Sequence, residues 1–77
     1  MTKREKLIEK ARNNPGGLRF AEAKKLAEAA GYTLDRSSGS HFVYVKDGVE
    51  RPLSLQESKD GKAKAYQVKQ ILAAFGD

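Results

Sequence analysis

The sequence predicts an α+β fold of α-α-β-β-β-α order, a three-stranded antiparallel sheet with helices on one face. Two observations carry this expectation. Apolar residues recur at helical spacing near both ends of the chain, whereas the middle, from Tyr32 to Leu55, holds short alternating runs divided by Ser-Gly and Asp-Gly turn signals. With 77 residues the chain is sized for one domain with a thin core.

Thr2 and Glu5 fit a T-x-x-E capping box that opens a helix running to about Arg12, with the narrow apolar stripe Leu7, Ile8 and Ala11. The stretch "NNPGG" stops it, because proline cannot continue a helix and the glycines free the backbone. Phe20, Ala23, Leu26, Ala27 and Ala30 then mark a second helix, roughly Ala21 to Ala30, with no obvious capping side chain at its start and Gly31 just past its end. In the first strand Tyr32, Leu34 and Arg36 alternate with Thr33, Asp35 and Ser37, and "SSGS" turns the chain into His41–Val45. "KDG" fits a three-residue hairpin loop with Gly48 in the left-handed region, which pairs Val45 with Val49, Val43 with Arg51 and His41 with Leu53. Pro52 makes the third strand an edge. Ala65, Val68, Leu72 and Phe75, with Ile71 beside them, form the closing helix.

The net charge is +5, from 15 Lys and Arg against 10 Asp and Glu. An excess of this size draws a small protein toward polyanions, although many small domains carry it without such a partner. The chain has no cysteine, so neither a disulfide framework nor a thiolate metal site is available. Its longest apolar run, Phe42 to Val45, is far too short to cross a bilayer, and "MTKREKLIEKARNN" lacks the apolar stretch of a signal peptide. The expectation is a cytoplasmic, unprocessed protein that uses no membrane.

His41 is the only histidine. In the hairpin register above it shares a side with Val43 and Val45, at the open end of the strand, where it meets both the helix layer and solvent. A lone histidine there is more often structural, bonded to a neighbouring carbonyl. Without cysteines or clustered carboxylates it cannot supply a usual metal ligand set, and Ser40 beside it has no readable His-Asp partnership. Phe42 and Tyr44 fall on the opposite face, where they either stack bases or simply pack. Lys62, Lys64 and Lys69 flank the start of the last helix and either contact phosphates or form a solvated face.

Taken together, "LRFAEAKKLAEAAGYTLDRSSGSHFVYV" and "KAKAYQVKQILAAFG" resemble the HicA mRNA interferase toxins over about residues 18–76. The resembling features are a helix ending in Gly-aromatic, a charged strand, Gly39-Ser40-His41 opening an apolar strand, and a closing helix with an Ile-Leu pair. The resemblance implies a double-stranded-RNA-binding-domain-like α-β-β-β-α core, with residues 1–17 as an N-terminal helical extension of a single 1–77 domain. It also implies a translation-inhibiting endoribonuclease neutralised by a cognate HicB antitoxin, with His41 as the catalytic residue. Gly39 and Ser40 would then let the RNA backbone approach, and Lys62, Lys64 and Lys69 would bind it. Two departures stand out: the family's frequent second histidine after the third strand is missing from Gln56 to Lys62, and Ala65 stands where many members have proline. An imidazole exchanges a proton near neutral pH, and attack by a ribose 2′-hydroxyl needs no metal, so neither a metal nor another cofactor is expected. The competing expectations are an RNA-binding module that does not cut and a pure protein-interaction domain.

Overall fold

Helix α1 (Lys3–Asn13) begins where the Thr2 hydroxyl accepts the Glu5 N–H at 3.1 Å, half of the expected capping box. In this computed structural model, which describes residues 2–76, a short 3-10 turn over Pro15–Gly17 follows, and α2 spans Phe20–Ala29. The start of α2 does have a cap. Glu22 turns back to accept the Arg19 N–H at 3.0 Å, and Lys10 holds the same carboxylate at 2.9 Å. The backbone N–H of Arg19 and the Lys10 ammonium together keep the Glu22 carboxyl below the usual carboxylate range. Gly31, with φ of 98°, takes the left-handed position after α2.

Three antiparallel strands come next in the order β1-β2-β3: β1 (Thr33–Ser38), β2 (His41–Val45) and β3 (Leu53–Gln56). The chain closes with α3 (Ala65–Ala73). The core joins Leu18, Phe20 and Leu26 to Tyr44, Leu53 and Leu55 of the sheet and to Val68, Ile71 and Leu72 of α3. Ala11 of α1, fully buried, belongs to the same cluster. Arg4 fastens the other end of α1, donating to the Ala29 carbonyl at 3.1 Å with its guanidinium 5.9 Å from the Phe75 ring centre.

The expected register of β2 with β3 is overturned. Tyr44 pairs with Leu53, Val43 with Ser54, Phe42 with Leu55 and His41 with Gln56. The turn after Lys46 forms as expected, with Val49 N–H donating to the Lys46 carbonyl at 3.1 Å and Gly48 at φ 83°. Pairing, however, resumes only at Leu53. Resumption at Val49 would set charged Arg51 opposite Val43 and place Pro52, which has no N–H to give, inside the ladder. The later start instead buries Leu53 and Leu55 with Tyr44. This slip is odd-numbered, so it turns every β2 side chain to the other face of the sheet.

Candidate active site on the open face of the sheet

His41 is placed by the tightest turn in the fold. Ser38 pairs with His41 across a two-residue loop, Gly39-Ser40, with Gly39 at φ 59° and no non-glycine residue of positive φ among the described residues. Glycine in the left-handed region at the first loop position, followed by an ordinary residue, is the type II′ hairpin, whose twist matches that of the strands. A Cβ on Gly39 would meet nothing within 4 Å, so the backbone conformation and not crowding requires glycine here.

Pairing fixes what surrounds the imidazole. Phe42 and Tyr44 carry the buried side of β2, so His41, Val43 and Val45 lie on the side away from the helices. This corrects the expectation that His41 touches the helix layer: its side chain is exposed on the uncovered face. It equally corrects the picture of Phe42 and Tyr44 as an outward base-stacking pair. Tyr44 is 2% exposed, and burial, aided by the nearby Glu28 charge, pushes its phenol above the usual value. Phe42 packs on Phe20, ring centres 5.2 Å apart, beneath the Lys24 ammonium at 4.9 Å. With apolar residues on both faces of β2, the alternation does not reveal which face is inside. Aromatic rings bury more area than valines and meet the leucines of β3, and that settles the face.

Opposite His41 stands Gln56. Its N–H points outward to the Gln67 Oε1 at 3.1 Å, while Glu57 N–H reaches the Ser40 carbonyl at 3.4 Å. His41 and Gln56 are therefore a non-hydrogen-bonded pair, the kind whose side chains stand closest. The Gln56 Oε1 in turn accepts a hydrogen bond from the Lys64 Nζ at 3.2 Å. One amide thus connects the residue facing the imidazole to an ammonium anchored at the start of α3. On the other flank, the unbroken register from the hairpin pairs Arg36 with Val43, which puts it on His41's face and diagonal to it, and the strand shifts register only beyond Arg36, before Leu34.

The six residues singled out from the sequence divide accordingly. Gly39, Ser40, His41 and Lys64 gather at the hairpin end of the sheet. Lys62 is exposed in the loop before α3, where its N–H donates to the Asp60 Oδ1 at 3.1 Å and its backbone bridges Arg19. Lys69 is exposed on α3, and no bond ties it to the group around His41. Gln56 and Arg36 escaped the sequence reading. Counting back from a Gly39-Ser40 loop places Arg36 opposite Val43, so a signal for it existed. Gln56 had none, because its partner depends on the length of the β2–β3 loop. No group of three or more His, Asp or Glu side chains suited to a metal occurs among the described residues, and none of their helices is long and apolar enough to cross a membrane.

No curated protein and no solved structure matches the chain. The family model for the HicA toxin of bacterial toxin-antitoxin systems matches residues 20–76, which takes in α2, all three strands and α3. The chain therefore belongs to the HicA toxin family, and an antitoxin partner comes with that membership.

Proposed function

We propose that this toxin is a metal-independent endoribonuclease that cuts mRNA, with His41 as the residue that moves a proton. The observation that carries the reading is the placement of His41: exposed on a rigid strand end, on the uncovered sheet face, with Lys64 held beside it through Gln56 and Arg36 on the other flank. The ribose 2′-oxygen attacks the adjacent phosphorus, the bond to the 5′-oxygen breaks, and the products are a 2′,3′-cyclic phosphate and a 5′-hydroxyl. One proton leaves the 2′-hydroxyl and one reaches the departing oxygen. His41 handles one of these transfers and water the other. Lys64 and Arg36 offset the charge that gathers on the phosphate oxygens. Gly39 and Ser40, exposed and small, let the RNA backbone approach, and Lys62 and Lys69 add weaker contacts to neighbouring phosphates. Such an enzyme is safe in a growing cytoplasm only when masked, so a HicB-type antitoxin covers His41.

One observation favours a reading without cleavage. The residues paired with His41 and next to it on the adjoining strands, Ser38 and Gln56, cannot act as a second acid or base. An RNA-binding module would have the same face.

The test is incubation of the purified protein and of His41→Ala with an unstructured RNA in EDTA. The wild type is expected to give cyclic-phosphate ends and the variant none, with the circular-dichroism spectrum unchanged. Equal cleavage by the variant removes His41 from the mechanism, loss of cleavage on chelation refutes metal independence, and RNA bound but left intact selects the binding module.

A further inference from the structure

The net charge of +5 is concentrated at one end of the chain. Residues 1–25 hold eight basic and three acidic groups, and residues 26–77 hold seven of each. In the fold this excess gathers at a groove between α1 and α2, bordered by Lys3, Arg4, Lys6, Lys10 and Lys25 over a floor that includes Leu7. Lys3, Lys6 and Lys10 follow i, i+3, i+7 spacing along one side of α1, a row about 10 Å long at 1.5 Å per residue. Lys10 is neutralised by Glu22, and Arg4 is committed to the Ala29 carbonyl. Lys3, Lys6 and Lys25 are exposed and form no hydrogen bond or ion pair among the described residues.

We propose that this groove is a second, sequence-neutral RNA contact that holds the phosphates of a strand whose cleaved segment lies at His41. The inference rests on the ribonuclease reading for its substrate but concerns different residues. Two features favour a phosphate chain over an acidic protein. The three free ammonium groups sit on flexible stems, Lys3 and Lys6 one turn apart on α1 and Lys25 on α2 across the groove, suited to repeated point charges and not to a fixed set of directional bonds. The positive surface also continues across α2. Lys24, next to Lys25 in sequence, lines with Arg19 the adjoining groove whose far wall is Gly39 and Ser40, the turn that leads into His41. A strand held between α1 and α2 thus reaches the Gly39-Ser40 turn, around which it must pass to meet His41 on the uncovered face.

The test is binding of a fluorescein-labelled 30-nucleotide unstructured RNA, measured from 50 to 200 mM salt on the His41→Ala background so that the probe stays intact. The groove variant is Lys3→Gln, Lys6→Gln, Lys25→Gln. A control of equal charge, Lys46→Gln, Arg51→Gln, Lys59→Gln, removes cations elsewhere. Loss of three phosphate contacts lowers the salt slope by about 2, so the unaltered groove loses roughly 20-fold more affinity over that salt range than the groove variant does. The control keeps the parent slope. Equal slopes for parent and groove variant overturn the proposal while leaving the ribonuclease reading intact, as does an equal fall in the control, which would assign the effect to net charge. Unchanged RNA binding together with lost binding of an acidic antitoxin also overturns it and makes the groove a protein contact. No RNA binding by the parent defeats both readings.

Discussion

Gln67 is the side chain on which the edge of the sheet depends. It is 4% exposed, the one buried polar residue among those described, and its Oε1 receives the N–H that Gln56 directs away from the sheet. Gln67→Leu keeps nearly the same volume and removes the acceptor, so little packing is lost and the Gln56 N–H is left without a partner. An unpaired buried donor costs about 1–3 kcal/mol. Gln56 is half-buried and water partly reaches it, which points to the lower part of that range. For a chain of this length the total stability is roughly 4–12 kcal/mol, so the change is a measurable share of the whole. With an m-value of about 1 kcal/mol/M in urea, the unfolding midpoint should fall by about 1–2 M. Hydrogen exchange at the Gln56 amide should accelerate in the variant while the amides of α2 keep their order of protection. An unchanged midpoint together with an unchanged Gln56 exchange rate would refute the reasoning, because it would mean that the amide never depended on Gln67.

Two further outcomes follow from the packing of the N-terminal segment. Leu18→Ala, at a fully buried site just outside the family match, should cost about 2–5 kcal/mol in urea unfolding; a loss under about 0.5 kcal/mol would show the segment to be peripheral. The Glu22 carboxyl is held below its ordinary value first by the Arg19 N–H and then by Lys10, so its contribution is complete above the ordinary carboxylate pKa and fades as pH falls through the lowered folded value. Wild type should therefore exceed Glu22→Gln by up to about 1 kcal/mol at pH 7, and the two unfolding curves should converge in acid; a gap that widens on acidification would contradict this.

The element order was legible because helical and alternating periods differ sharply and the breakers are strong: Pro15-Gly16-Gly17 after α1, Gly31 after α2, Gly39 at the first hairpin. The cap on α2 escaped notice because Glu22 reaches backward to a backbone N–H, leaving no capping side chain at Arg19 to be read. His41 was visible as a unique residue in a short motif, but its side of the sheet was not. Val43 and Val45 are apolar too, and the greater area of Phe42 and Tyr44 decides the face only once the length of the Lys46–Pro52 connection lets them meet Leu53 and Leu55. That length depends on long-range pairing, to which Asp47-Gly48 gives no guide beyond the first turn. The bond of Lys64 to Gln56, the residue paired with His41, depended on the same pairing and was hidden with it.

The contact between the first and last helices bears on how the chain is made. Arg4 lies against Phe75, and Val68, Ile71 and Leu72 of α3 complete the core that α1 enters through Ala11. On the ribosome α1 and the sheet emerge first, yet the surface they must bury against is synthesised last. The fold therefore closes only once α3 has been made, and any nascent chain that stops short of Ala65 lacks the layer that seals it. A toxin built in this order holds no complete core until its last helix has left the ribosome.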